Sequence, residues 1–223
     1  MANVNNNKNL FGVIGLGRFG AAVAMELKRN KKEVICIETD ENVAKAYRDE
    51  FENLFICDQT NKATLQEAGI QNCNTVVIAI GKDVEASILI TLTVIEMGVP
   101  NVISKANSKE QGKVLEKIGA KVVFPEVEMG QRLAMNLSNA NTLEFLRLSG
   151  NFSIAEVELS ENFKPQTIKE SDFRNKYQVN IIAIIREEKI IADVCAITEL
   201  KPKDNIVVTG DAKAITDFTK KNI

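Results

Sequence analysis

Phe11-Gly12-Val13-Ile14-Gly15-Leu16-Gly17-Arg18-Phe19-Gly20 is the stretch that decides how this chain is read. The apolar run Leu10 to Ile14 predicts a buried strand, and Ala21-Ala22-Val23-Ala24-Met25-Glu26-Leu27 just beyond is rich in helix formers. Between them lies Gly15-x-Gly17-x-x-Gly20. Such glycines alone are a weak signal, but a strand before them and a helix after them make the fingerprint of a doubly wound, dinucleotide-type fold. Each has its own task. Gly15 permits the tight turn, Gly17 lets backbone N–H groups approach a phosphate, and Gly20 lets the helix lie close to the strand. The helix start then faces the anion.

Outward from the loop, Glu33 to Glu38 reads as a second strand. Glu38 stands about 20 residues past the glycines, where the fingerprint places an acidic residue to accept ribose hydroxyls; the plain alternative is a solvated strand end. A carboxylate there would also repel a 2′-phosphate, which argues against NADP. A helix from Glu41 to Phe51, a strand Leu54 to Cys57 and a polar turn Asp58-Gln59-Thr60 follow. Thr60 or Asn61 can cap a helix running from Lys62 to Ala68, which Gly69 ends. Thr75 to Ile80 is a near-continuous apolar run, read as a strand and broken by Gly81. The next helix, Asp83 to Met97, is apolar nearly all round and is expected in a crowded interior or an interface. Asn101 to Lys105, a helix from Ser108 to Ile118, and Lys121 to Pro125 complete the series. Strand and helix alternate throughout, which predicts an α/β fold with a doubly wound, mostly parallel sheet and right-handed crossovers. Its ligand crevice should lie at the carboxyl ends of the strands, gathering Gly15, Gly17, Arg18, Phe19, Gly20, Glu38, Asp58, Ile80, Gly81 and Lys105 on one rim.

From Glu126 a helix carries Met129, Leu133 and Leu137 at four-residue spacing, a stripe to be buried on its own domain or on a partner subunit. Ser138 to Asn141 is polar and reads as a hinge. The tail then changes pattern. Phe152 to Leu159 alternates apolar and polar residues, as a half-exposed antiparallel strand does. A short helix from Thr167 to Asn175, strands at Val179 to Arg186, Lys189 to Val194 and Asn205 to Thr209, and a helix from Asp211 make a small α+β unit. The expected domains are 1–141, for nucleotide binding with its crossover helix, and 142–223.

The 223 residues, 45% hydrophobic and 26% charged, have the balance of a globular protein, and a net charge of −2 gives no reason to expect nucleic acid. The sequence contains no His and no Trp. Without His there is no Ser–His or Cys–His nucleophile pair, no His acid/base for hydride transfer and no His metal site. Cys36, Cys57, Cys73 and Cys195 show no C-x-x-C spacing and are expected as small buried hydrophobes in a reducing compartment. The Asn-rich first ten residues lack the apolar core of a signal peptide, and the apolar segment Ile88 to Met97 is too short to span a bilayer. A cytosolic location is expected.

Val13-Ile14-Gly15-Leu16-Gly17-Arg18-Phe19-Gly20, Val77-Ile78-Ala79-Ile80-Gly81, Lys105-Ala106, Lys113-Val114-Leu115-Glu116-Lys117-Ile118-Gly119-Ala120 and Pro125-Glu126-x-x-Met129-Gly130 together resemble the RCK (KTN) domains. Within that family the chain is most similar to cytosolic gating subunits of bacterial Ktr-type potassium uptake systems, related to the Trk regulatory subunits. The resemblance extends through residues 153 to 223, which are similar to the family's C-terminal ligand-sensing domain. It implies a non-enzymatic regulator at the inner face of the cell membrane. Such subunits dimerise, assemble into an octameric ring on a membrane potassium-translocating subunit, and change shape between ATP and ADP. Matched by position, Gly15, Gly17 and Gly20 hold phosphates, Glu38 the ribose, and Arg18 the γ-phosphate, whose added charge a guanidinium can bind bidentately. Glu126 matches a position that helps hold Mg²⁺ or Ca²⁺ beside the phosphates. Ile168, Phe173, Arg174 and Asn180 match a cyclic di-AMP site, although Cys195-Ala196-Ile197 replaces a proline-containing stretch of that pocket. The plainer alternative makes Ile168 and Phe173 core residues. The glycine loop and Glu38 would equally serve NAD(H) in a redox sensor or an oxidoreductase, but the tail is too small for a catalytic domain.

Overall fold

The computed structural model describes residues 9–57, 60–138, 142–149 and 152–220. The chain divides into two compact units, Met1–Pro125 and Glu126–Ile223.

The first unit alternates β1 (Leu10–Ile14), α1 (Arg18–Arg29), β2 (Glu33–Glu38), α2 (Glu41–Lys45), β3 (Asn53–Ile56), α3 (Lys62–Glu67), β4 (Thr75–Ile78), α4 (Val84–Glu96), β5 (Asn101–Lys105), α5 (Lys109–Lys117) and β6 (Lys121–Val123). The sheet is parallel, in the order β3-β2-β1-β4-β5-β6. Adjacent residues on the inner strands face opposite sides, so an apolar run fills two cores. Ile14, Ile35, Ile37, Val76 and Ile78 pack with Leu65, Ile90, Val94 and Leu115 of α3, α4 and α5. Val13, Val34, Cys36 and Val77 face the other way, onto Ala24 of α1 and Phe51.

Two helices of this unit depart from the sequence reading. The one beginning at Glu41 ends at Lys45, short of Phe51. Beyond it Ala46 N–H and Tyr47 N–H donate to Val43 and Ala44, tightening the chain into turns. Lys28 clamps those turns by pairing with the Glu50 carboxylate at 3.0 Å, which presents Phe51 to the core. Helix α4 has the expected extent but is buried on one face only. Ser87, Ile90, Thr91 and Val94 lie inside, whereas Val84, Leu89 and Leu92 are exposed in the single chain.

The second unit contains α6 (Pro125–Ser138), β7 (Thr142–Ser149), β8 (Phe152–Glu158), β9 (Gln166–Thr167), α7 (Ile168–Ser171), α8 (Phe173–Tyr177), β10 (Val179–Arg186), β11 (Lys189–Ile191), β12 (Glu199–Leu200), β13 (Asn205–Asp211) and α9 (Ala212–Thr219). Five of its strands form an antiparallel sheet, β11-β10-β13-β8-β7, and β12 pairs with β9. Strand β7 is absent from the sequence reading; its pairing with β8 supplies the order that local pattern lacks. Most of the expected hinge, 139–141, lies outside the described residues. The helix expected from Thr167 is broken in two at Asp172, whose φ of 52° is left-handed. Asp tolerates that conformation better than most residues, and here its carboxylate accepts from the Asn175 side chain at 2.6 Å. The break turns Phe173 and Tyr177 onto Phe218, with ring centroids 5.1 and 5.2 Å away.

One ion pair pins the strand ends of this unit. Arg186 donates twice to Asp204, at 2.7 and 2.6 Å, and once to the Glu199 carbonyl at 2.9 Å. The Asp204 side chain, 1% exposed, also accepts from Lys201 N–H. Arg186→Met would strand that carboxylate, and the expected loss is on the order of 3 kcal/mol. Chemical denaturation of the full chain monitored by tyrosine fluorescence, to which Tyr177 of this unit contributes, measures it; an unchanged midpoint would contradict the clamp.

Candidate functional site

The carboxyl ends of β1, β2, β4 and β5 bring together what the sequence scatters. At the end of β1, Gly15 adopts a φ of 93° and donates its N–H to the Ile37 carbonyl at 2.8 Å. A Cβ on Gly20 would overlap the Gly15 carbonyl oxygen and lie 2.8 Å from Ala79 Cβ. That position must therefore be glycine for α1 to sit where it does. Gly17 is different: a Cβ there would meet nothing within 4 Å, and its φ of −61° and ψ of 179° suit any residue. The protein's own packing has no need of a glycine at 17. Its open side is room beside the start of α1.

The first N–H groups of a helix have no partner within the helix. In this unit α2, α3, α4 and α5 are capped by the side chains of Asp40, Asn61, Asp83 and Ser108. Helix α1 has no side-chain cap and no acidic residue in its first turn. The exposed residue opening it, Arg18, is instead a cation at the positive end of the helix dipole. This arrangement favours an anion.

Beside it, Glu38 is 9% exposed. Its carboxylate accepts from the N–H groups of Leu16 at 2.6 Å, Thr39 at 2.7 Å and Asp40 at 2.9 Å. The first of these bonds ties the glycine loop to the end of β2. Carboxylate oxygens have further acceptor capacity, suited to a vicinal diol. Asp58 lies outside the described residues. Phe19 and Ile80 are half-buried, and Gly81 follows on the loop after β4. Lys105 Nζ lies 3.5 Å from where a Gly81 Cβ would be, so Lys105 reaches from β5 over the end of β4. The Asn107 side-chain amide donates to the Gly81 carbonyl. Asn107 was not among the residues expected from sequence; its only signal there is an amide two positions past a strand's carboxyl end.

Glu126 stands in the first turn of α6. Among the described residues no group of three or more His, Cys, Asp or Glu side chains could hold a metal ion, so Glu126 would have to share one with ligand oxygens. In the second unit Phe173 is buried in the aromatic cluster, Ile168 is half-buried, and Arg174 and Asn180 are exposed on either side of the Gln178 turn. The segment at Cys195 folds back onto α7: Ile168 N–H and Lys169 N–H donate to the carbonyls of Thr198 and Ala196, each at 2.9 Å.

The cysteines differ from one another. Cys36 and Cys73 are buried, and burial pushes both thiols up to about 12. Cys57 is half-buried and Cys195 exposed, contrary to the expectation of four buried thiols, and the hydrogen bond of Cys195 with the Thr198 hydroxyl draws its pKa down. No described helix is long and apolar enough to cross a membrane.

Residues 11–126 match the TrkA-N domain and residues 154–222 the TrkA-C domain. The chain belongs to the RCK family of TrkA-type domains. It is 35% identical over 215 residues to the Ktr system potassium uptake protein C of Bacillus subtilis (strain 168), covering 96% of this chain and 97% of that one. It is 34% identical to protein A of the same system and organism, over 100% of both chains. The GsuK channel shares the fold, with a TM-score of 0.54 and 22% identity, over 96% of this chain and 39% of that one. GsuK bound to ADP matches 60% of this chain and 35% of that one at 26% identity and a TM-score of 0.51. As an RCK protein of this kind the chain is a regulatory protein of potassium transport and not an enzyme.

Gly20→Ala should lower thermal stability by several degrees, because the overlap with the Gly15 carbonyl forces α1 outward, while Gly17→Ala should unfold within about 2 °C of the parent. Differential scanning calorimetry of the two variants checks this, and equal losses would contradict the different roles of the glycines. Alkylation by iodoacetamide at pH 7.5 should modify Cys195 and spare Cys36 and Cys73, since only the thiolate reacts. Thr198→Val, by raising the Cys195 pKa, should slow its labelling below that pKa; peptide mapping by mass spectrometry reads both results.

Proposed function

We propose that this RCK protein is a nucleotide-sensing subunit that gates potassium flow through a membrane-embedded translocating partner, from the cytoplasmic face. The observation that carries the reading is the start of α1: uncapped, without a carboxylate, opened by Gly17 and flanked by the anchored Glu38. A phosphate fits the first feature and a ribose the second. ATP and ADP are the proposed ligands. Gly15, Gly17, Gly20 and Phe19 surround the phosphates, Glu38 takes the ribose, Asp58, Ile80 and Gly81 flank the ligand, and Lys105 faces its phosphate end. Arg18 meets the γ-phosphate, in its own subunit or a neighbour's, and Glu126 completes a Mg²⁺ or Ca²⁺ site with phosphate oxygens.

A ligand shifts a conformational equilibrium only by its differential affinity for the two states. Between ATP and ADP the difference is one charged phosphoryl group, and Arg18 is the group placed to detect it. Domains 1–141 and 142–223 are read as the nucleotide-binding and ligand-sensing parts. On α6, Met129, Leu133 and Leu137 are 61, 56 and 76% exposed in the single chain, which supports their burial in a dimer and, with the exposed side of α4, in an octameric ring. Arg174 and Asn180, both exposed, suit the phosphates and bases of cyclic di-AMP, with half-buried Ile168 and buried Phe173 as the apolar members of that site.

Isothermal titration of ATP, ADP and NADH tests the reading. ATP and ADP should compete for one site per chain, and Arg18→Ala should weaken ATP about tenfold while leaving ADP within about twofold. Equal loss of both nucleotides would overturn the γ-phosphate role, and preference for NADH would favour a redox sensor.

A further inference from the structure

Buried polar side chains link the crevice rim to the interior of the unit, in one step through the backbone carbonyl of Ser87. Gln111, in the first turn of α5 and 4% exposed, accepts the Asn107 N–H on its Oε1 at 2.9 Å. Its amide donates to the Ser87 hydroxyl of α4 at 3.3 Å. The Thr91 hydroxyl donates to the Ser87 carbonyl at 2.6 Å and lies 3.1 Å from the Ser104 hydroxyl of β5. Ser87, Thr91 and Ser104 are all 0% exposed. Aliphatic side chains would fill this volume without the desolvation cost of polar groups. What the polar chain supplies is a fixed position for the Asn107 backbone, and Asn107 in turn clasps the Gly81 carbonyl.

The strand order says what that clasp faces. Glu38 ends β2, the α1 amides lie over the end of β1, and β4 and β5 follow on the side away from Glu38. A nucleotide with its ribose on Glu38 and first phosphates at α1 reaches β4 only with what lies beyond them, about 4.8 Å further on. There the Lys105 ammonium sits over Gly81, beside the clasp. We propose that Gln111 is a positioning residue: acting through Asn107, it sets the β4–β5 side of the crevice to receive the terminal phosphate of a nucleoside polyphosphate. This rests on the nucleotide reading of the crevice given above.

Gln111→Met keeps the volume and removes both hydrogen bonds. Calorimetric titration of the full-length protein with AMP, ADP and ATP should show ATP weakened about fivefold, ADP less and AMP unchanged. Asn107→Ala, an exposed change that spares the buried chain, should reproduce the same graded loss, and the double variant should be no worse than either single one, since both act through one contact. An equal loss for all three nucleotides, no loss for any, or additive losses in the double variant would overturn the role of Gln111. Failure of the unaltered protein to bind any of the three would overturn the nucleotide reading and this inference with it, whereas intact parent binding with a flat response in the variants would overturn the inference alone.

Discussion

The site depends on how closely the start of α1 can approach the ends of β1 and β4. Gly20 lies against the Gly15 carbonyl and Ala79, and no side chain fits between. This contact brings the first-turn amides of α1, which no capping side chain meets, over the end of β1, where their partial positive charge is concentrated. Glu38 fixes the loop from the other side through Leu16 N–H, so the turn is held by packing at one end and by hydrogen bonds at the other. Both supports rest on the two-sided core beneath the sheet, which keeps the strand ends in register.

The distribution of satisfied and unsatisfied polar groups separates structure from site. Helices α2 to α5 spend a side chain on their own first-turn amides, whereas α1 does not. Deep in the same unit, Gln111 bonds the Asn107 N–H and the Ser87 hydroxyl, and Thr91 bonds the Ser87 carbonyl and lies against Ser104, in a place where aliphatic residues would pack. Such groups are stable only when their geometry is correct, so they hold the adjoining loop in one arrangement. An open set of donors beside a rigidly held rim suits discrimination between ligands that differ by a phosphoryl group.

Regulation also requires that a change at the crevice reach another surface. Two apolar helix faces are exposed in the single chain, on α4 and on α6. Helix α4 contributes Ser87 and Thr91 to the polar chain on its inner side and Leu89 and Leu92 to its outer side. One rigid element thus touches both the rim's support and the surface.

Much of this was legible in the residues themselves. The glycine spacing, the acidic end of β2 and the apolar strands mark a doubly wound sheet because each is a local requirement, of backbone conformation or of burial on two faces. Local rules also narrowed one helix cap to Thr60 or Asn61, of which Asn61 is the cap, and placed the stop at Gly69. Other features follow from contacts between residues far apart in the chain. The clamp of Lys28 on Glu50, the pairing of β7 with β8, the Glu38 bond to Leu16 and the support of Asn107 by Gln111 and Ser87 join segments whose proximity no local pattern encodes. By itself the sequence determined which backbone conformations and buried faces are possible. Only the tertiary structure decided which amides stay open and which polar groups find partners, because hydrogen bonding depends on distance and direction across the fold.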